Sequence, residues 1–401
     1  MKICMLAYTF YETDTRVMMY AESIAARGDQ VDVICVRREG NPCHEVLKSV
    51  NVFRIQKREV NEKSKWSYFM RIVGFFVISS IFLTKRFVKV GYDVIHVHSV
   101  PDFEVFAAII PKIFGARIIL DIHDLVPELY ANKFKVSKGS LIYKALIMIE
   151  RLSNGFADHV IIANHLWKKT LSDRSIRNGK CSVFLNYPNS SIFYERKNVV
   201  KGGNIKMIYP GTLNRHQGVD IAVKAFKIIQ DEVAEAEFHI YGEGPEKPML
   251  QELVSKFGLD RRVLFKSFLS IDKIAKVMAE SDIGIVPKRN DGFGGEAFST
   301  KILEFMALGI PVIVSATKID RYYFNDSVVM FFNPEDMKDL ADKMLLLIKN
   351  REIRERLAEN ALYFASSYSW DKKKQEYFDL VDSLVRKGKN HLGSFCKSDV
   401  V

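Results

Sequence analysis

Two glutamates flank a predicted helix start in the second half of the chain. Glu296 comes before it and Glu304 lies inside the helix, while Ser299 and Thr300 suit the first turn and Gly309 suits the end. The N-terminus of a helix presents backbone N–H groups that bind anions, and ionised carboxylates accept hydrogen bonds from hydroxyl groups. The segment therefore predicts a site for a ligand with both phosphate and hydroxyl groups, as in a nucleotide sugar.

The length and charge of the chain limit what the protein can be. A chain of 401 residues exceeds the roughly 250–300 residues that one hydrophobic core supports, so two domains are expected. The formal net charge of +11 favours an anionic partner, and charge alone leaves open a nucleotide, a membrane surface or a nucleic acid. The five cysteines are scattered and never spaced C-x-x-C, which disfavours a disulfide framework or a zinc site and indicates reduced thiols in a cytoplasmic protein.

Neither a secretion signal nor a membrane span is expected. A strand is predicted from Lys2 onward, which leaves no room for a leader. The longest uncharged apolar stretch, residues 72–84, is shorter than the roughly 20 residues that a spanning helix needs.

Short apolar runs alternate with helical patterns along the whole chain. The runs are near-continuous, as is typical of parallel strands covered on both faces. They comprise residues 3–7, 31–36, 94–97, 118–122, 160–163 and 183–185, and then 205–209, 237–241, 263–265, 283–286, 311–314 and 328–332. This order predicts two successive doubly wound α/β domains.

Parallel sheets bind ligands outside the carboxyl ends of their strands, so the residues that follow the predicted strands are site candidates. His123 and Gly211 each follow a predicted strand. Arg16 lies after the first one, where its guanidinium could grip a phosphate or lie on the surface. Gly242-x-Gly244-Pro245 lacks the third glycine of a dinucleotide fingerprint and is as well explained by a tight turn with Pro245 at the first helical position.

The pattern Glu296-x7-Glu304 followed by Ala307-x-Gly309-x-Pro311-Val312 resembles the signature of the family 4 glycosyltransferases. The pair His123-Asp124 and the Gly-x-Gly-Pro turn are similar to motifs of the same family. The resemblance implies the GT-B fold, an α/β architecture of two facing doubly wound Rossmann-like domains with a C-terminal helix that crosses back to the first. The implied segments are an acceptor-side domain in 1–187, a nucleotide-sugar-binding domain in 188–371, a crossing helix in about 372–387 and a disordered tail in 388–401.

The resemblance also implies roles for individual residues. Glu304 is expected on the ribose hydroxyls of the donor, Glu296 on the sugar hydroxyls, and His123 beside the sugar from the opposite domain, with Glu296 and His123 as the catalytic residues. The other donor-binding residues that it implies are Gly211, Arg215, Phe298, Ser299, Thr300, Lys301 and Arg16.

The chain departs from the family where the diphosphate is gripped. Thr212 and Gln217 stand where the family pattern has Arg and Lys. Arg215 and Lys301 are the expected replacements, because fixed cations stabilise the charge that develops on a leaving diphosphate. Lys301 lies three residues before Glu304, so an i,i+3 ion pair is the alternative for that side chain.

The segment His96-x-His98-x-x-Pro101-Asp102 resembles one in bacterial family members that build surface polysaccharides, which implies an acceptor-side position for Asp102. His96 and His98 share one face of a strand. No third ligand is evident from the sequence and the chain has no Asp-x-Asp motif, so we expect neither a metal ion nor another cofactor.

Cations and aromatic residues surround the apolar stretch 72–84. They are Lys63, Lys65, Trp66, Phe69, Arg71, Lys85 and Arg86. The pattern is typical of a helix that lies on an anionic lipid surface, and equally of a buried helix with solvated basic ends.

The resemblance thus implies a glycosyltransferase that retains anomeric configuration. We expect a nucleotide-sugar donor, a UDP-sugar rather than a GDP-sugar, and a lipid-linked saccharide acceptor in surface polysaccharide synthesis. The expected location is the inner face of the cytoplasmic membrane, with peripheral contact to anionic lipid and no nucleic-acid partner. The alternatives are a nucleotide-sugar 2-epimerase of the same fold and a non-enzymatic basic protein that binds membrane or nucleic acid.

Overall fold

The structure is a computed structural model that describes residues 1–58, 65–176, 179–196 and 203–395; side chains at 65, 66, 68 and 387–395 are not described. The chain divides into two compact units. The first unit comprises Met1–Asn186 and the last helix from Lys373 onward, and the second comprises Tyr187–Lys372. The chain therefore passes from one unit to the other within one residue of the predicted boundary.

The first unit contains an eight-stranded sheet in the order β3-β4-β2-β1-β5-β6-β7-β8. All neighbouring strands run parallel except β3 and β4, which are antiparallel. The strands are β1 (Lys2–Ala7), β2 (Gln30–Arg37), β3 (His44–Leu47), β4 (Val50–Lys57), β5 (Val94–His98), β6 (Arg117–Ile122), β7 (His159–Ile162) and β8 (Cys181–Val183).

The hairpin of β3 and β4 was not predicted. Buried and half-buried residues alternate along β4, as in a strand with one face toward the core. A search for continuous apolar runs therefore passes over it, whereas the central β5 is buried at every position.

Helices cover both faces of this sheet. They are α1 (Thr15–Ala26), α2 (Lys65–Val90), α3 (Ile109–Ile113), α4 (Val126–Phe134), α5 (Leu141–Phe156) and α6 (His165–Arg174). A 3-10 helix, Asp102–Ala108, leads directly into α3. Within the described ranges, none of the helices combines the length and the apolar content that crossing a bilayer requires.

The second unit contains a six-stranded parallel sheet in the order β11-β10-β9-β12-β13-β14. The strands are β9 (Lys206–Pro210), β10 (Glu237–Tyr241), β11 (Val263–Lys266), β12 (Ile283–Val286), β13 (Val312–Ser315) and β14 (Met330–Phe332). The helices are α7 (Val219–Ile229), α8 (Lys247–Lys256), α9 (Ile271–Ala279), α10 (Thr300–Ala307), α11 (Lys318–Tyr323), α12 (Met337–Lys349) and α13 (Arg351–Ser367).

The last helix, α14 (Trp370–Phe395), packs on the first unit. Tyr377 is fully buried there, with its ring centroid 4.4 Å from that of Tyr20. The helix continues through residues 388–395, where a disordered tail was predicted, and the rest of that tail lies outside the described residues.

Candidate active site

The loop between β12 and α10 shapes the start of α10. Asp291 Oδ1 accepts hydrogen bonds from the backbone nitrogens of Phe293, at 3.2 Å, and Gly294, at 2.5 Å. Ser299 then takes the N-cap position in an extended conformation, but its side chain makes no capping hydrogen bond. The first backbone N–H groups of α10 have no acceptor within the helix, as at the start of any α-helix.

A cavity of about 170 Å³ lies against this helix start. Its lining residues are His216, Gln217, Lys288, Gly294, Ala297, Phe298, Ser299, Thr300 and Lys301. The structure therefore brings together four of the predicted donor-binding residues, those from Phe298 to Lys301. Among the described residues the buried Ser299 Oγ has no hydrogen-bond partner, so it can serve a ligand.

Lys301 lies directly over Gly211. A Cβ at Gly211 would come within 2.3 Å of Lys301 Cε, so a side chain at position 211 would displace the lysine. The Lys301 ammonium lies 5.5 Å from the centroid of the Tyr209 ring and 3.5 Å from Gln217 Oε1. Gln217, which stands where the family pattern has a lysine, therefore contacts Lys301, one of the two lysines that line the cavity.

Lys288 is a second buried cation that the sequence analysis missed. Its Nζ lies 2.9 Å from Asp320 Oδ2 and donates to the carbonyl oxygen of Ala297 at 2.8 Å. Asp320 thus balances the charge of Lys288. Among the described residues Lys301 has no carboxylate within 4.0 Å, so it is the cavity cation whose charge is left for a ligand.

Glu304 follows one turn after Lys301. Within the described part of the chain its carboxylate makes neither a hydrogen bond nor an ion pair, so the i,i+3 ion pair with Lys301 is not formed. Burial raises the pKa of Glu304, and the nearby Lys301 opposes that shift. Burial lowers the pKa of Lys301, opposed by Glu304. Within the described part of the chain Glu304 has no polar partner and Lys301 has only the amide oxygen of Gln217, so both charges are left for a ligand.

Glu296 and Arg215 lie near the cavity without lining it. The Glu296 carboxylate pairs with Lys318 at 2.6 Å, and the contact of Glu296 with a donor sugar stays a prediction. Arg215 is exposed, and its role on the diphosphate also stays a prediction. The neighbouring His216, which the sequence analysis did not select, lines the cavity, and burial lowers the pKa of its imidazole.

The Gly242-x-Gly244-Pro245 turn packs closely against the Gly211 loop. A Cβ at Gly242 would lie 1.8 Å from the carbonyl oxygen of Gly211, so only glycine fits this approach. Gly211 N donates to the carbonyl oxygen of Tyr241 at 2.8 Å. Pro245 was predicted at the first helical position and lies instead two residues before α8. The turn is thus a packing element of the site.

In the first unit, His123 follows β6 and contacts Asp121, which is fully buried. His123 Nε2 and His98 Nδ1 each lie 3.2 Å from Asp121 Oδ2. Burial alone would lower the pKa of His123, but the charge of Asp121, its hydrogen bond and the charge of Asp14 together outweigh burial and raise that pKa. Since Asp121 is ionised and accepts hydrogen bonds, it orients the His123 ring with Nε2–H inward. When the ring is neutral, Nδ1 is the nitrogen that can accept a hydrogen bond.

Arg16 holds Asp121 in place. Its Nε and Nη2 donate to the two Asp121 oxygens, each at 2.7 Å, and its Nη1 donates to the carbonyl oxygen of Phe184 and to Asn186 Oδ1. The side chain is only 4% exposed. A phosphate contact, as predicted for Arg16, would require it to leave this pair.

Three possible metal ligands meet in the same cluster. Ligand atoms of His96, His98 and Asp121 lie within 4.8 Å of one another, and Asp121 is the third ligand that the sequence analysis did not find. Both Asp121 oxygens already accept from Arg16, and His96 Nδ1 lies 2.9 Å from the Tyr377 hydroxyl. Hydrogen bonds therefore account for Asp121 and for one nitrogen of each histidine, whereas His96 Nε2 and His98 Nε2 are buried without a hydrogen-bond partner among the described residues.

Asp102 lies on the 3-10 helix and is 4% exposed. Its carboxylate accepts a hydrogen bond from the Ser99 hydroxyl. Burial raises the pKa of Asp102 to about 7, against the effect of this hydrogen bond. Its predicted place on the acceptor side stays a prediction.

We expect His123→Ala to lower sugar transfer at least tenfold while the protein stays folded. The imidazole is 21% exposed at a strand end, so its loss removes an oriented polar group with little core packing. Transfer rates and thermal melting of the purified variant test this. A melting temperature far below that of the wild type would instead assign His123 to the core.

The chain is similar to known glycosyltransferases in sequence and in fold. An uncharacterized glycosyltransferase of Methanocaldococcus jannaschii is 28% identical over 290 residues, 70% of this chain and 73% of that protein. The O-antigen biosynthesis glycosyltransferase WclY of Escherichia coli is 26% identical over 278 residues, 65% of this chain and 71% of that protein. HepE of Anabaena, in complex with UDP and glucose, aligns with a TM-score of 0.69 and 17% identity over 98% of this chain and 100% of that one.

The last comparison shows a shared GT-B fold, as predicted. Family models match each unit separately. Residues 13–186 match the glycosyl transferase 4-like domain, and residues 191–362 match the glycosyl transferases group 1. The two matches together cover most of the chain, which therefore contains a glycosyl transferase 4-like domain followed by a group 1 glycosyltransferase domain.

Proposed function

We propose that the enzyme transfers a sugar from a nucleotide-sugar donor, with a UDP-sugar favoured, to a lipid-linked saccharide in surface polysaccharide synthesis, with retention of configuration. The observation that carries the proposal is the second-unit cavity, in which Lys301 and the start of α10 lie together and Glu304 follows one turn later. A diphosphate fits the cation and the helix start, and ribose hydroxyls fit a carboxylate that has no hydrogen-bond partner among the described residues.

The donor and acceptor classes have separate support. HepE, which shares the fold, was solved with UDP and glucose, and WclY is named for O-antigen biosynthesis. The cavity and its cation supply the features that a nucleoside diphosphate requires.

In the proposed reaction the acceptor oxygen attacks the anomeric carbon from the face that the leaving group occupies. The bond from the anomeric carbon to the phosphate oxygen breaks as the new glycosidic bond forms. The departing phosphate takes the acceptor proton, which gives a glycoside and a nucleoside diphosphate. Lys301 and the first N–H groups of α10 stabilise the negative charge on that phosphate.

The two glutamates have different expected effects. Glu304→Gln should raise the KM for the donor with little change in kcat, because a ribose contact is the same in the ground state and the transition state. Glu296→Ala should mainly lower kcat, because that side chain touches the reacting sugar. Steady-state kinetics with isothermal titration of UDP separate the two. If both variants fold and keep the wild-type kcat and KM, the two glutamates have only a structural role.

A panel of UDP-, GDP- and ADP-sugars tests the donor class directly. We expect UDP-sugars to give the largest rise in melting temperature and to release UDP only when a polyprenyl-linked saccharide is present. The anomeric proton coupling of the product reports retention. Formation of the 2-epimer without acceptor, either as the UDP-sugar or, after addition of water, as free sugar and UDP, would instead support the 2-epimerase and contradict the transfer.

A further inference from the structure

Helix α5 buries polar residues and exposes apolar ones, the reverse of a typical amphipathic helix. Its buried positions include Glu150, Ser153 and Asn154, and Glu150 is held by Arg174. Its exposed positions form an apolar stripe of Leu141, Ala145, Met148 and Leu152 at helical spacing. Leu141 is 84% exposed. A helix that turns apolar residues outward indicates that something covers them.

Two further helices of the first unit show the same property. On α2 the exposed apolar residues include Met70, Val77, Ile78 and Ile81, and on α3 and just after it Ile113 and Phe114 are each 73% exposed. The 3-10 helix connects them, because Phe103 contacts Phe76 of α2 and Phe106 contacts Phe156 of α5. Right-handed crossovers place α2, α3 and α5 on one side of the sheet, so their exposed stripes belong to one surface.

The helices α2, α3 and α5 carry basic residues and almost no acidic ones. The sequences of α2, α3 and α5 contain a single acidic residue, Glu150, and it is buried. Lys85 and Lys89 on α2 and Lys144 on α5 are exposed beside the apolar stripes. The surface therefore presents apolar and cationic groups and no exposed carboxylate from its own helices.

We propose that this face, formed by α2, α3 and α5, docks on an anionic lipid bilayer. Apolar side chains enter the acyl boundary while the lysines bind lipid phosphates. A second copy of the chain fits less well, because a symmetric contact would bring the cationic helices against themselves. The inference rests on the proposed function in that a lipid-linked acceptor requires the enzyme at a bilayer.

The structure also revises which residues of the predicted basic segment can face lipid. Arg86 pairs with the buried Asp32 and lies over the Phe53 ring, so it serves the fold. Lys63 lies outside the described residues, as do the side chains of Lys65 and Trp66. Among the described side chains, the exposed cations of α2 and α5 are therefore Lys85, Lys89, Lys144 and Arg151.

Vesicle co-sedimentation of the full-length protein tests the proposal without donor or acceptor. We expect binding to vesicles that contain phosphatidylglycerol, weaker binding as salt rises, and none to phosphatidylcholine alone. An apolar variant carrying Ile113→Ser, Phe114→Ser, Met148→Ser and Leu152→Ser should lose at least tenfold in partition coefficient. A cationic variant carrying Lys85→Ser, Lys89→Ser and Lys144→Ser should lose at least tenfold at low salt.

Matched controls lie in the second unit. Phe268→Ser with Tyr363→Ser removes side chains that are 71% and 83% exposed, and Lys256→Ser, Lys273→Ser and Lys276→Ser remove exposed cations. Both should bind vesicles as the wild type does. Stabilisation by UDP should be unchanged in all variants, so a failure of docking is distinguishable from a failure of the donor assignment.

Three results would overturn the docking proposal. They are a wild type that ignores anionic vesicles at low salt, an apolar variant that binds as well as the wild type, and a wild-type dimer that the apolar variant converts to monomers. The last result would assign the face to a second copy.

Discussion

Replacing Lys301 by methionine is expected to lower kcat by about 10²–10³, the usual effect of removing one transition-state charge partner. Methionine keeps an unbranched stem of similar length, so packing over Gly211 and the Tyr209 ring is largely retained. The ammonium is lost, and with it the cavity cation that has no carboxylate partner in the described part of the chain. Steady-state transfer kinetics, with separate titration of UDP, measure the loss.

Arg215→Ala is the matched control, because both cations were predicted on the diphosphate. Arg215 is exposed and does not line the cavity, so its loss should change kcat far less. Full activity in Lys301→Met together with inactivity in Arg215→Ala would reverse the assignment. It would mean that the loop after β9 moves to bring Arg215 onto the donor.

Asp121→Asn is expected to destabilise the protein by about 3–5 kcal/mol, because it leaves the buried Arg16 without its counter-charge. It should also lower the pKa of His123, since the charge of Asp121 is what raises that pKa against burial. Denaturant unfolding gives the first quantity and NMR titration of the imidazole gives the second. Transfer should fall as well, because the ring loses its orientation.

The pH dependence of stability provides a further check on this pair. Arg16 holds the pKa of Asp121 well below its usual range, despite burial, so the pair stabilises the fold above the ordinary carboxyl pKa of about 3.9. That contribution is lost as pH falls from there toward the lowered pKa. Asp121→Asn should remove this part of the acid dependence. The double change Arg16→Met with Asp121→Leu should recover part of the stability, and a single variant as stable as the wild type would contradict the role of the pair.

The donor half of the site could be predicted because it is local. Residues 296–304 lie on one loop and one helix, and the helix start follows from the capping and apolar pattern alone. His216 was not predicted because it reaches the cavity from the loop after β9, and Lys288 was not predicted because it lies at the other end of the loop between β12 and α10. Lys288 is also neutralised by Asp320, 32 positions along the chain, and no short motif marks such a pair.

The first unit shows a different limit of sequence reasoning. His98 and Asp121 are partners in the register of β5 and β6, so their contact requires knowledge of strand order. Arg16 follows a strand end, where its side chain could face solvent or the sheet, and the inward position depends on Asp121. The helical periodicity of α5 can be recognised from the sequence. An apolar stripe is usually assumed to be buried, however, and in α5 that assumption would place the exposed face in the core.

The packing of α14 has a consequence for how the protein is made. The ring of Tyr377 lies among Tyr20, His96 and Phe184, so the core of the first unit needs a residue translated after the whole of Tyr187–Lys372. During synthesis the N-terminal sheet therefore emerges with one side of its core uncovered, while the second unit has all its residues before α14 is complete. Multidomain chains usually fold from the N-terminus, but here the first unit is translated first and completed last. Until α14 packs, the first unit is therefore the one exposed to chaperones and to aggregation.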